Sequence, residues 1–171
     1  MKIVLTGPES IGKTTLALDL AKHYGTHIVS EYARTYLTNK PQGLYEKEDI
    51  LTIAKGQLTK EKLVERRPLI ICDTSILVIY MWSSIKYGEV DPEIAEALEK
   101  EEVDLYILPH WDIPYKSDPL RENPEDREEY YQLYLDEIKK RHFPFLTVAG
   151  SPAHRLEIAR QTIDTLKKYK V

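Results

Sequence analysis

Residues 7–14 read Gly-Pro-Glu-Ser-Ile-Gly-Lys-Thr, and two glycines, a lysine and a hydroxyl residue at this spacing form a loop suited to holding phosphates. Gly7 and Gly12 let the backbone wrap closely round phosphate oxygens, with successive N–H groups aimed inward. The expected nucleotide contacts are therefore Gly7, Glu9, Ser10, Ile11, Gly12, Lys13, Thr14 and Thr15. Lys13 is placed to reach the β- and γ-phosphates of a nucleoside triphosphate, and the Thr14 hydroxyl to hold Mg²⁺. The context agrees: the apolar run Ile3-Val4-Leu5 precedes the loop and the helical stretch Thr15-Leu16-Ala17-Leu18-Asp19-Leu20 follows it.

Such a loop needs a strand behind it and a helix ahead of it, and the chain repeats that alternation. Short apolar runs at 2–6, 26–30, 69–73, 104–109 and 146–149 are spaced by amphipathic segments. The expected fold class is α/β, a three-layer P-loop NTPase fold with a five-stranded parallel sheet, helices on both faces and a lid segment. Between the second and third runs, Ile50, Ile53, Ala54, Leu58, Leu63 and Val64 recur at helical spacing. The last helix is marked by Leu156, Ala159, Ile163 and Leu166, with Ser151 and Pro152 at its start. A polar turn at 38–43 and a proline-rich stretch at 110–126, carrying Pro114, Pro119 and Pro124, break the pattern. Long connections of this kind in compact α/β domains tend to be functional. The organisation expected is one domain over 1–171, with a lid at about 110–127.

With 42% hydrophobic and 30% charged residues, the composition is that of an ordinary globular protein. The apolar runs are too short to span a bilayer, and residues 1–6 enter the loop too early for a secretory leader, so cytoplasmic residence is expected. Cys72, the only cysteine, sits in Leu69-Ile70-Ile71-Cys72-Asp73 and reads as a buried strand residue. A net charge of −4 argues against non-specific nucleic-acid binding and suits a small anionic ligand held by local groups. No membrane association is expected, and the oligomeric state is left open.

The loop alone leaves three classes open: a GTPase, a work-performing ATPase, or a kinase for a small acceptor. Asn39-Lys40-Pro41-Gln42 starts like a guanine motif but ends in Gln, and no Asp stands three residues before any of the seven glycines. Asp73 is followed by Thr74, where a hydrolytic ATPase commonly carries a water-activating Glu. What remains is a kinase. In an open parallel sheet ligands gather at the carboxyl ends of the strands, where Glu31 follows the second strand and Asp73 closes the third. One acid is wanted to orient or deprotonate an acceptor hydroxyl, the other to hold Mg²⁺-bound water or a substrate hydroxyl. Simpler roles compete: Asp73 as a helix N-cap and Glu31 as a first-turn acid facing the helix dipole. Arg121 and Arg127 bring positive charge to the lid, with a solvated ion-pair face as the plain alternative for either.

Taken together these segments resemble the ribosylnicotinamide kinase domain of NadR-type proteins. The matching residues are Gly7-Pro8-Glu9-Ser10 with Gly12-Lys13-Thr14-Thr15-Leu16, then Ser30-Glu31-Tyr32-Ala33-Arg34, then Ala54-Lys55-Gly56-Gln57. Cys72-Asp73-Thr74, Trp82, Tyr87-Gly88 and finally Asp112, Pro114-Tyr115, Asp118 and Arg121 follow in order. The resemblance implies transfer of the ATP γ-phosphoryl group to the 5′-hydroxyl of nicotinamide riboside, giving nicotinamide mononucleotide. It implies Lys13 and Arg121 as phosphate-side cations, Glu31 and Asp73 as acceptor-side acids, and Thr14 as the Mg²⁺ ligand. Either acid can be the base, with Glu31 favoured by analogy with other P-loop nucleoside kinases, and Asp73 is a further candidate at the metal. The cationic nicotinamide ring suits an aromatic, acidic pocket, for which Tyr32, Tyr36, Trp82 and Tyr115 are candidates. Tyr115 stands where typical members carry Trp. Arg34 either binds an acceptor oxygen or pairs with Glu31, and fold analogy points to Gly150-Ser151-Pro152 for the adenine. Another nucleoside, nucleotide or small metabolite as acceptor, and a non-catalytic ATP-binding module, are the alternative readings.

Overall fold

The computed structural model describes residues 1–38, 40, 44–115 and 126–169. The strands are β1 (Lys2–Leu5), β2 (His27–Val29), β3 (Ile70–Asp73), β4 (Leu105–Pro109) and β5 (Phe145–Val148). The helices are α1 (Lys13–Tyr24), α2 (Tyr32–Leu37), α3 (Lys47–Lys62), α4 (Ile76–Tyr87), α5 (Pro92–Glu99), α6 (Arg127–Lys140) and α7 (Pro152–Tyr169). All strand pairs are parallel, in the order β2-β3-β1-β4-β5. Each strand lies within one residue of its expected bounds.

The apolar runs are continuous because a parallel sheet is covered on both sides. Val4, Ile70, Cys72, Tyr106 and Leu108 face α3, α4 and α6 in one core. Ile3, Leu5, Ile71, Leu105 and Ile107 face α1 and α7 in the other. Cys72 is a buried free thiol, as expected.

One helix expectation needs correction. Leu63 was expected on the apolar stripe of the helix before β3, but α3 ends at Lys62 and Leu63 is exposed. The buried face of α3 runs Ile50, Ile53, Ala54, Gln57, Glu61; two residues beyond Glu61 the helical phase turns to solvent.

The chain leaves β1 for β2 and β3 on one side and for β4 and β5 on the other. The carboxyl end of β1 is therefore a topological switch point, where open α/β sheets bind ligands. Register places Leu5 beside Asp73 and Ile107, so the phosphate loop emerges between the ends of β3 and β4.

Candidate active site

The loop between β1 and α1 has the backbone its sequence demands. Gly7 and Gly12 take φ of 119° and 88°, and Ser10 holds a left-handed φ of 55° that is uncommon for a residue with a Cβ. Ile11 is fully buried and anchors the loop in the core. Lys13 opens α1, and its Nζ donates to Gly7 O at 2.9 Å and Pro8 O at 2.5 Å. Thr14 and Thr15 are exposed in the first turn of α1. No acidic side chain occupies that turn, so the positive end of the helix faces the loop uncompensated by its own residues.

Two arginines reach the loop from behind. Arg155, on α7, is buried and donates to Gly150 O at 2.9 Å, Ile11 O at 2.7 Å and His110 O at 2.9 Å, and to Asp112 Oδ1. Asp112 also accepts the Gly150 N–H at 2.7 Å. Partial burial would raise the Asp112 carboxyl, but the Gly150 N–H and the Arg155 guanidinium outweigh it and hold the group below its ordinary value. Arg127, the first residue of α6, donates to Ser10 O at 3.3 Å and Ile113 O at 2.8 Å. Its guanidinium lies 5.7 Å from the centre of the Tyr115 ring. Arg127 thus reaches the phosphate loop, whereas Arg121 lies outside the described residues.

Asp73 ends β3 with its side chain buried, and its Oδ1 has no hydrogen-bond partner among the described residues. Thr6 Oγ1, on the residue after Leu5, the register partner of Asp73, is orphaned likewise. Thr74 follows at φ 77°, a strained conformation for a β-branched residue, with its N–H on Leu5 O at 3.1 Å. The cap of α4 is Ser75, whose side chain accepts from Leu77 N–H at 3.4 Å, so Asp73 is not needed as a cap. A buried carboxylate oxygen without a partner among the described residues and a Thr hydroxyl in the first turn of α1 are hard-oxygen donors of the kind that suit Mg²⁺. That ion usually takes one or two protein ligands plus phosphates and water. Glu31 precedes α2, with Arg34 Nε 3.9 Å from its Oε2, so the ion pair, one of the two alternatives for Arg34, is present at long range.

A polar chain ties the residues just after these two acids to the sheet. Gln57 Oε1 accepts the Tyr32 N–H at 2.9 Å, and Gln57 Nε2 donates to Glu61 Oε1 at 3.0 Å. Lys2 Nζ then bridges Glu61 at 2.6 Å and Glu101 at 2.9 Å. Glu101 accepts in turn from Ser75 Oγ at 3.3 Å and from the Tyr106 hydroxyl. Burial would lower the Lys2 amine, yet the Glu101 and Glu61 carboxylates raise it above its ordinary value. Burial, reinforced by Glu101, pushes the Tyr106 phenol up.

The aromatic candidates divide into separate contacts. The Tyr32 ring lies against Gly56, where an added Cβ would come within 2.2 Å of it, and sits 6.2 Å from Tyr36. The Tyr36 hydroxyl donates to Asp49 at 2.7 Å. Trp82 donates through Nε1 to the Tyr45 hydroxyl at 3.0 Å and meets that ring edge-on at 5.0 Å. Tyr115 serves as a platform for Arg127. Sequence reasoning assigned no role to Gln57, Glu101, Asp112 or Arg155. A signal existed for Arg155, which stands four residues before Ala159 and eight before Ile163 on the core stripe of α7, and so is charged at an apolar position.

Comparison with known proteins agrees with this geometry. The model of the family described as AAA domain matches residues 2–155. The trifunctional NAD biosynthesis/regulator proteins NadR of Salmonella typhimurium and Escherichia coli are each 24% identical over 153 residues, 85% of this chain and 37% of theirs. The chain thus spans little more than a third of these curated relatives. A crystal structure of NadR with NR superposes with a TM-score of 0.75 at 18% identity, covering 98% of this chain and 51% of that one. NadR with NAD and AMP-PNP gives 0.77 at 18% identity, covering 98% and 49%. Deoxyadenosine kinase from M. mycoides, with dCMP and dCDP, gives 0.70 at 17% identity, covering 96% and 100%. Among the described residues no helix is long and apolar enough to cross a membrane. With a family model over nearly its whole length and a five-stranded parallel sheet shared with these structures, the chain belongs to the AAA domain family and has the P-loop kinase fold.

Proposed function

We propose that the protein is an ATP-dependent kinase that transfers the γ-phosphoryl group to the 5′-hydroxyl of nicotinamide riboside, giving nicotinamide mononucleotide for NAD salvage. The observation that carries the kinase reading is the buried Asp73 carboxylate, with its unpartnered Oδ1 beside the phosphate loop and no Glu after it. The acceptor is supported by the likeness to NadR, one structure of which holds NR.

In this reading Gly7 to Thr15 cradle the triphosphate, and Lys13 exchanges its bonds to Gly7 O and Pro8 O for the β- and γ-phosphate oxygens. Glu31 orients the acceptor hydroxyl and takes its proton as the bond from that oxygen to the γ-phosphorus forms and the bond to the ADP oxygen breaks. Transfer is largely an electrostatic and positioning problem, so the carboxylate contributes about 10²–10⁴-fold. Thr14 and Asp73 would hold Mg²⁺, which would supply charge neutralisation on the phosphates. Arg127 and Arg121 add cationic charge from the lid. Tyr32, Tyr36, Trp82 and Tyr115 form the aromatic surroundings of the base, and Arg34 stands on the acceptor side.

A second reading, a kinase for another nucleoside, is favoured by one observation. The likeness to deoxyadenosine kinase extends over the whole of that enzyme. Purified protein with ATP and Mg²⁺ is to be assayed against nicotinamide riboside, uridine, cytidine, adenosine and deoxynucleosides. Fastest turnover of nicotinamide riboside is expected. Faster turnover of a deoxynucleoside moves the assignment to the second reading, and binding of ATP with no turnover of any acceptor leaves a non-catalytic module.

A further inference from the structure

The two arginines behind the phosphate loop hold adjacent carbonyls: Arg127 takes Ser10 O and Arg155 takes Ile11 O. No peptide bond among the described residues is cis, and in a trans peptide the C=O and the following N–H point in opposite directions. A donor that fixes the Ile11 carbonyl on the outside of the loop therefore fixes the direction of the Gly12 N–H, which turns inward.

We propose that Arg155 is a positioning residue for nucleotide binding, holding the Ile11–Gly12 peptide so that the Gly12 N–H is aimed at the phosphates before any ligand arrives. This rests on the nucleotide-binding part of the reading above. The side chain is 4% exposed, and its donors are spread over three loops at the carboxyl edge of the sheet, ending on Ile11, His110 with Asp112, and Gly150. A guanidinium buried on the apolar stripe of α7 is costly unless fully bonded, and here the bonds tie the Ile11 carbonyl of the phosphate loop to the segments after β4 and β5. The need for such a brace is local. Ser10, one residue before Ile11, holds a left-handed φ of 55° that a residue with a Cβ seldom adopts by propensity alone. Arg127 is the looser of the pair, with its longer bond on Ser10 O, so Arg155 carries the orientation.

The test is titration of the full chain with ATP plus Mg²⁺ and, separately, with inorganic tripolyphosphate, alongside the KM for nicotinamide riboside. Arg155→Met should weaken ATP and tripolyphosphate by about tenfold or more, the scale of one lost charge-assisted hydrogen bond, while the riboside KM moves less than about twofold. Arg155→Lys, which keeps the charge without the fork, should recover part of the loss. Asp112→Asn, which leaves Arg155 in place but loosens it, should give the same pattern at smaller amplitude, and decides the matter if Arg155→Met does not fold. Unchanged tripolyphosphate affinity, or equal losses for riboside and tripolyphosphate, would overturn the proposal. The tripolyphosphate arm does not depend on which acceptor is right. Wild-type protein that binds neither ATP nor tripolyphosphate removes the nucleotide reading and this inference with it.

Discussion

The side chain of Gln57 on α3 accepts the backbone N–H of Tyr32 at 2.9 Å, fixing the start of α2 immediately after Glu31. From Gln57 the bonds continue through Glu61, Lys2 and Glu101 to Ser75, two residues after Asp73. The segments that follow the two candidate acids, Tyr32 after Glu31 and Ser75 after Asp73, are thus held by opposite ends of one polar chain.

Replacing Gln57 by Leu should leave the Tyr32 N–H and Glu61 each short of a partner. A loss of about 1–3 kcal/mol is expected for buried polar groups so orphaned, together with a fall in turnover larger than the change in ATP affinity. Chemical denaturation and steady-state kinetics check both, and equal loss of ATP affinity would detach the network from the acceptor side.

Gly56→Ala should be destabilising by about 1–3 kcal/mol, since the new Cβ meets the Tyr32 ring at 2.2 Å. Combining it with Tyr32→Leu should recover much of the loss, and a double-mutant cycle measures the coupling. Additive effects would place the damage elsewhere.

Asp73→Asn is expected to raise the unfolding temperature of ligand-free protein while lowering turnover. The buried Oδ1 carries a desolvation cost with no hydrogen bond among the described residues to offset it, as at a site shaped for a ligand. Calorimetry without nucleotide is the check, and a lower unfolding temperature would count against the ligand-facing role.

Lys40, then the Glu46 N–H and the Tyr36 hydroxyl, bring the Asp49 carboxyl down from 3.8 to about 2. A depressed folded value contributes stability that is present above the ordinary carboxylate range and lost as pH falls through about 2. Unfolding free energy should therefore fall more steeply between about pH 5 and pH 2 in the wild type than in Asp49→Asn. Parallel slopes in urea denaturation would contradict this.

Lys13→Ala should abolish phosphoryl transfer whichever riboside is the acceptor, because Lys13, whose Nζ lies on Gly7 O and Pro8 O, is the loop cation placed to reach the β- and γ-phosphates. Residual turnover near the wild-type rate would refute the assignment of the loop.

Much of this protein is legible from sequence because its signals are local. Continuous apolar runs mark strands buried on both faces, and the glycine spacing of 7–14 dictates a loop whose φ values follow. Glu31 and Asp73 owe their place to the ends of those runs. Tertiary structure alone decided what the side chains meet. Arg155 finds Ile11 across 144 residues, Gln57 finds the N–H of Tyr32, Trp82 is paired with Tyr45, and Tyr115 lies under Arg127. Helical period tells which face a residue occupies, but its partner depends on how the helices pack over the sheet, and that packing is the sum of many weak contacts spread over the chain.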